Sequence, residues 1–342
     1  MKFFHFSGAL TAVVWAASFA AAESEPSTID EVQERGYLNC GVSPGLPGFS
    51  APDSNGVWQG FDVALCRAVA AAVLEDPMAV EFVPTDGETR FSALNSGMID
   101  LLARNTTWTF SRDVGLGLTF TGVSYYDGQG FMVQRELGVS SATELDGLSI
   151  CITTGTTTEL NLDDYFRVNG MSYEPVPIET NAEAQQQYTA GVCDVFTTDI
   201  SGLAATRASF ADPGEHVILP EVISKEPLSP VVRHGDDVWA DLVRWTLFAL
   251  ISAEELGVTS ANIDELRSGS DNPEINRLLG SSGDLGEMFG LDNDWAFRAI
   301  SASGNYGEIF ASTIGEQTPI GLARGLNAQW TQGGLLYSPP FR

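Results

Sequence analysis

Short apolar runs alternate with amphipathic segments twice in succession along this chain, and that alternation restricts the fold more than any other feature. Tyr37–Val42 is expected as a strand, followed by a Pro- and Gly-rich loop, Ser43 to Phe49. A helix is expected from Asp62, as its N-cap, to Leu74, because Val63, Leu65, Cys66, Val69 and Val73 recur near helical spacing. Val80–Pro84 is expected as a strand, Arg90–Ser96 as a helical turn or two, and Ile99–Ala103 as a strand. The middle of the chain repeats this order. Leu148–Thr153, Tyr173–Ile178, Val192–Thr197 and His216–Leu219 read as strands, with helices between them, one of them capped by Asn181 and ended by Gly191. Two α/β units of similar size, each with a parallel sheet, are therefore expected. From Val238 the pattern changes to a long amphipathic helix and then to Gly- and Asn-rich segments that are too apolar for disorder. This last part is expected to pack on the first unit.

Each unit places polar residues where strands end, and open α/β sheets hold their ligands at those ends. After Ile99–Ala103 comes Arg104 to Asp113, RNTTWTFSRD. Asn105, Thr106, Thr107 and Thr109 supply groups that cap a helix and point donors into a cleft, and Arg112 adds a planar fork that matches a carboxylate. At the second end Gly155 precedes Thr156, Thr157 and Thr158, which exposes backbone N–H groups toward an anion. The third end is Thr197-Thr198-Asp199. Each stretch alone also fits ordinary helix capping. Taken together on facing units, one arginine, two nests and one carboxylate complement a zwitterion. Arg112 and the nests would take an α-carboxylate, and Asp199 an α-ammonium.

The first residues set the compartment. Lys2 precedes an apolar run, Ala9–Phe19, and Ala20-Ala21-Ala22 fits an export cleavage site, so the mature chain is expected to begin at Glu23, soluble and exported. Four cysteines suit that compartment. Three pairings are open; Cys40–Cys66 with Cys151–Cys193 is expected because each bond then stays within one unit. With no C-x-x-C and three scattered histidines, no metal site is expected, and nothing calls for a cofactor. The formal net charge is −28, from 45 acids against 17 bases, which argues against nucleic acid and anionic membranes as partners. It also makes each arginine more informative.

The ordered set Gly60-Phe61-Asp62, then Asn105-Thr106-Thr107 with Arg112 after four further residues, then Gly155-Thr156-Thr157, then Thr198-Asp199 resembles the solute-binding proteins of polar-amino-acid ABC transporters, family 3. Gly304-Asn305-Tyr306-Gly307-Glu308, Arg324-Gly325-Leu326-Asn327 and the ending Pro339-Pro340-Phe341-Arg342 resemble the longer branch that serves general L-amino-acid uptake. The resemblance implies a two-lobed flytrap, the type II periplasmic-binding-protein fold, crossed twice near Tyr125–Val133 and Lys225–Val231. Residues 1–22 would be the signal peptide, 23–124 the first part of lobe one, 125–230 lobe two with the crossings, and 231–342 the rest of lobe one plus a C-terminal extension. It implies a monomer that closes on an L-amino acid in the periplasm and delivers it to permease subunits in the inner membrane. Carried over by motif, Arg112, Thr107, Thr156 and Thr157 would bind the carboxylate, and Asp199 the ammonium with help from Asn105. Ser43 and Leu46 would touch the ligand side chain.

Two departures bear on specificity. Many relatives place an aromatic where Leu46 stands, so a less selective pocket is implied. Arg90 and Asn181 match positions that read an acidic side chain in glutamate/aspartate-binding members, so acidic amino acids or their amides are expected ligands if Arg90 faces the pocket. Otherwise Arg90 would form a surface ion pair, perhaps with Glu88. The same fold hosts dehydratases acting on arogenate or prephenate, whose chemistry needs a placed general acid. Glu88, Glu159 and Glu183 are the nearest acids, and none is coupled to a base, so no enzyme activity is expected. A ligand-sensing partner of a receptor is a further alternative.

Overall fold

The structure, a computed structural model, describes residues 1–2 and 27–342; the predicted apolar export segment and its cleavage site lie outside the described residues. Two five-stranded sheets organise the rest. In the first, the order is Val80–Pro84, Leu38–Val42, Leu101–Leu102, Val231–Arg233, Leu118–Phe120. The first three run parallel, and Val231–Arg233 is antiparallel to both of its neighbours. In the second, the order is Glu174–Ile178, Ser149–Thr153, Val195–Asp199, Gln129–Gln134, His216–Ile218. Gln129–Gln134 is antiparallel to the strands on both sides of it. Both sheets are thus mixed, where parallel sheets were expected. The antiparallel members are the strands by which the chain arrives from the other sheet, and a chain that returns directly without a crossover helix must run back against its neighbour.

The chain leaves the first sheet after Leu118–Phe120, passes through Tyr125–Asp127 and enters the second at Gln129–Gln134. It comes back after His216–Ile218 through Glu226–Leu228 to Val231–Arg233. Those two linking strands pair with each other, Glu226 opposite Asp127 and Leu228 opposite Tyr125.

Several expected caps shift by a residue. The first long helix is Phe61–Leu74 with Gly60 as N-cap, and Asp62 is buried inside its first turn. Asn181 is the first residue of the helix Asn181–Thr189, whose N-cap is Thr180. In both cases the side chain expected to cap the helix is held by a distant partner instead. Thr28–Arg35 is a helix, closed by a capping box between Ser27 and Asp30. The long amphipathic helix expected from Val238 is Asp237–Glu255.

The first core includes Leu38, Phe61, Trp239, Trp295, Tyr306 and Phe341, so residues from both chain ends share it. The second lobe has smaller clusters around Phe131 and Phe166 and around Met132 and Tyr188. Trp295–Ser303 packs along Phe61–Leu74 and Asp237–Glu255. The Arg324–Asn327 motif has a definite task. Arg324 forms a fork-to-fork pair with Glu254, at 2.8 and 3.0 Å. Asn327 accepts from the Tyr126 N–H at 2.7 Å and donates to the Tyr126 carbonyl at 3.1 Å, as a neighbouring strand would.

Cys40 bonds to Cys66 and Cys151 to Cys193, with Cα atoms 6.2 and 5.6 Å apart. The first ties the leading strand to the helix packed on it, across a sequence separation of 26. Replacing Cys40 and Cys66 together by alanine is expected to cost about 3–4 kcal/mol by loop-closure entropy. A urea titration of both forms checks this: the midpoint should fall, with a somewhat steeper slope because the uncross-linked unfolded chain exposes more surface, and an unmoved midpoint would contradict it.

Candidate functional site

One cavity lies where the strand ends of the two lobes face each other. Ser43, Leu46, Arg90, Asn105 and Thr107 line it from the first lobe, and Thr156, Thr157, Asn181 and Asp199 from the second. Nine of the ten residues expected to touch ligand are therefore brought together. The tenth, Arg112, is set behind Thr107. Its Nη1 donates to the Thr107 carbonyl at 3.0 Å and its guanidinium lies 5.2 Å from the centre of the Phe91 ring. Arg104, which sequence reasoning did not assign to ligand, lines the cavity instead. Its Nε donates to the Thr85 carbonyl at 2.9 Å.

The Gly60-Phe61-Asp62 motif sets the position of Asn105. Gly60 has φ of +127° and sits against the Phe49 carbonyl, where a Cβ would come within 2.3 Å of the oxygen. Phe61 packs edge-on against Tyr125 and Tyr306. Asp62 is thereby buried beside the loop, and its Oδ2 accepts from the Asn105 N–H at 3.2 Å. Asn105 itself has φ of +27°, a conformation that Asn tolerates better than most residues and that often marks a functional position. The loop is also stitched to the Glu226–Leu228 strand, through Trp108 N–H to Pro227 O and Ser229 N–H to Thr106 O.

The second lobe contributes a helix start. Thr156 caps the helix Thr157–Val168, accepting from the Glu159 N–H. The Thr157 N–H is in the first turn, where no intrahelical acceptor exists. Among the described residues the Thr107 N–H has no partner either. Glu159 and Glu183 are spent on local backbone, accepting from the N–H groups of Gly155 and Glu179. Neither of them, nor Glu88, lines the cavity.

Contacts cross the cleft at several points. Asn105 Nδ2 reaches Asp199 Oδ2 at 3.5 Å, and Arg90 Nη2 reaches the Gly155 carbonyl at 3.4 Å. Gly87 meets the second lobe through backbone, and a Cβ there would lie 2.5 Å from the Thr154 carbonyl. Arg90 is buried at 2% exposure, pairs with no carboxylate among the described residues and leaves its Nε without a partner. A surface ion pair with Glu88 is thus not formed. Asn181 Oδ1 accepts from Thr206 at 3.1 Å, which turns its unpartnered Nδ2 the other way. Asn105 Oδ1 is a third buried polar atom without a partner.

Burial governs the charges. It raises the Asp199 carboxyl well above the usual carboxylate range, reinforced by Asp127 and Glu226 and opposed by Asn105 and Arg90. Asp62 is pushed up to about 7 by burial, against the Asn105 N–H and Arg104. Asp127 rises to about 6, again by burial. Arg90 is lowered by burial and then by Arg104 and Arg112; Arg104 falls to about 10.

Two α/β lobes that enclose a polar cavity at their strand ends define a two-lobed binding protein. The chain belongs to the bacterial extracellular solute-binding proteins, family 3, which it matches over residues 38–261. It is 61% identical over 326 residues to the glutamate/glutamine/aspartate/asparagine-binding protein BztA of Rhodobacter capsulatus, covering 95% of this chain and 96% of that one. It is 54% identical over 338 residues to the general L-amino acid-binding periplasmic protein AapJ of Rhizobium johnstonii, covering 98% of both. A solved ABC transporter periplasmic binding protein from Brucella ovis with glutathione bound superposes with a TM-score of 0.90 at 53% identity, over 93% of this chain and all of that one.

The folded protein holds Asp62 protonated up to about pH 7, whereas the unfolded carboxyl, at 3.8, gives up its proton far earlier. The stability this contributes is complete below the unfolded value and is lost as pH rises through the folded one. Asp62→Asn keeps an acceptor for the Asn105 N–H and removes the titration. Its Tm is expected to fall less than that of the parent between about pH 4 and pH 8. Parallel Tm profiles would refute this assignment.

Proposed function

We propose that the chain is the solute-binding component of an ABC transporter for L-amino acids, broad in range and favouring acidic amino acids and their amides. The observation that carries this reading is the set of buried, unpartnered atoms on residues lining one cavity: Arg90 Nε, Asn181 Nδ2 and Asn105 Oδ1. Buried polar atoms are seldom left unpaired in a native protein. The two donors suit the carboxylate or carbonyl of an acidic or amide side chain, and the acceptor suits an ammonium. Asp199, beside Asn105, takes the same ammonium. The N–H groups of Thr107 and of the Thr156–Thr157 helix start take the α-carboxylate, with Arg112 adding positive charge from behind. Ser43 and Leu46 flank the ligand side chain, and the modest bulk of Leu46 fits a broad range. The γ-glutamyl end of glutathione carries a free α-ammonium and α-carboxylate, so the ligand of the Brucella relative presents the same head group.

In this reading the strands Tyr125–Asp127 and Glu226–Leu228 are the two hinge crossings. Residues 23–124 and 231–342 move as one lobe, with the C-terminal extension packed on it, against 125–230. Ligand bridges the halves of the site, shifts the equilibrium toward closure, and the closed monomer docks on its permease in the periplasm. Conformational change on binding is selected by differential contact, and Arg90, Asn105 and Asp199 make theirs only when the lobes meet.

Calorimetric titration of the processed chain, refolded to strip carried-over ligand, tests this. Glutamate, glutamine, aspartate and asparagine are expected to saturate the site, with arginine weaker by about tenfold or more, since a cationic side chain would face Arg90. Arg90→Ala is expected to lose glutamate selectively. Equal affinity for arginine and glutamate, or no saturable binding, would overturn the reading.

Binding should also release protons. A ligand ammonium beside Asp199 stabilises its charged form, so the raised carboxyl ionises on binding. Affinity is then expected to rise with pH until Asp199 is already ionised in the free protein. Titration in buffers of different ionisation enthalpy reads this release, and Asp199→Asn should abolish it along with most of the affinity.

A further inference from the structure

Glu226 lies on the second linking strand at 1% exposure and was not assigned to the site by sequence. Its Oε2 accepts from Thr107 Oγ1 at 2.5 Å and from Thr157 Oγ1 at 2.8 Å. Its Oε1 accepts from Asn161 Nδ2 at 2.7 Å and from Ser224 Oγ at 2.6 Å. Thr107 belongs to the first lobe, and Thr157 and Asn161 to the helix start of the second. One carboxylate thus gathers donors from both lobes and from the linking segment itself.

The consequence concerns the direction of two hydrogen bonds. A threonine hydroxyl has one proton and two lone pairs. Thr107 and Thr157 both give that proton to Glu226, so toward the cavity they offer lone pairs only. The contact of 3.2 Å between the two hydroxyl oxygens is then a meeting of two acceptors, held together by their common partner. Hydroxyls in this state cannot donate to a ligand carboxylate. They accept from an ammonium, while the carboxylate is left to backbone N–H groups and arginine.

We propose that Glu226 is a positioning residue for ligand capture: by taking the hydroxyl protons of Thr107 and Thr157 it sets the polarity that the site presents, and it does so only when both lobes are brought to it. This rests on the amino-acid-binding reading above. It deepens that reading by making the demand for a ligand ammonium a property of Glu226 as well as of Asp199. Asp127 and Asp199 also face this region, and Arg112 supplies the nearby positive charge.

The test compares L-glutamate with glutarate, which keeps both carboxylates and lacks the ammonium, by calorimetry on the processed chain. The parent is expected to prefer glutamate by about two orders of magnitude or more, since buried acceptors left unpaired reject the analogue. Glu226→Gln replaces one acceptor oxygen by a donor, which frees a hydroxyl proton to turn toward the cavity. The preference is expected to fall about tenfold, whatever happens to overall stability. Glu226→Asp, which keeps the carboxylate, should restore most of it. Thr107→Val gives an independent reading should the glutamine variant not fold: it is expected to weaken glutamate more than glutarate, because an acceptor for the ammonium is lost. An unchanged preference in Glu226→Gln, or equal losses for both ligands in Thr107→Val, would overturn the proposal. Failure of the parent to bind glutamate would instead remove the functional reading beneath it.

Discussion

The ionisable groups at the cleft are held apart from one another. Arg90, Arg104 and Arg112 meet Asp62, Asp127, Asp199 and Glu226 in one buried region, yet among the described residues none of these groups forms an ion pair with another. Neutral partners hold them: the Thr85 and Thr107 carbonyls for two arginines, backbone N–H groups for Asp62 and Asp127, hydroxyls and an amide for Glu226. A buried pair of opposite charges satisfies itself and offers little to a third party. Ionisable groups fixed on dipoles remain available, at a cost in desolvation that the fold must carry. The rest of the architecture can be understood as the means of carrying it.

Those means are distributed over the whole chain. The disulfide from Cys40 to Cys66 and the aromatic packing of Phe61 fix the helix that carries Asp62, and Asp62 fixes the Asn105 loop. The last residues take part as well. Asn327 matches the backbone of Tyr126 on one linking strand, and Tyr306 donates to the Ser124 carbonyl just before it at 2.8 Å. The C-terminal segments therefore hold one end of a linking strand to the first core while its partner, Glu226–Leu228, carries the carboxylate that collects both lobes.

Much of this was legible in the sequence, and the failures have physical causes. The alternation of apolar and amphipathic runs showed two α/β units because burial on a sheet imposes it. It did not show Leu118–Phe120, a short edge strand lying between Gly117 and Gly122, nor the antiparallel strands that follow from the returns of the chain. Caps at Asp62 and Asn181 were misplaced because a polar side chain at a helix start looks the same whether it serves its own helix or a residue far away. The polar strand ends pointed to five residues that line the cavity, Asn105, Thr107, Thr156, Thr157 and Asp199, since strand ends place them there, while Ser43, Leu46, Arg90 and Asn181 came from the family resemblance alone. Arg112 was expected to face ligand, but its length lets it fold back onto the Thr107 carbonyl. Arg104 stood in plain view as a scarce base beside the motif. Glu226 carried no such signal, being one acid among 45.

The contrast between interior and exterior has a kinetic meaning. The whole chain carries a formal charge of −28, while Arg90, Arg104 and Arg112 are buried in the cleft. An anionic solute approaching from afar meets a field of its own sign, and the arginines that could receive it lie buried in the cleft. Its encounter rate is therefore governed by repulsion that counterions screen over about 10 Å at 0.1 M ionic strength. Added salt should therefore speed the arrival of an anionic amino acid and leave that of a neutral zwitterion nearly alone, so the filling rate itself becomes a probe of the surface charge.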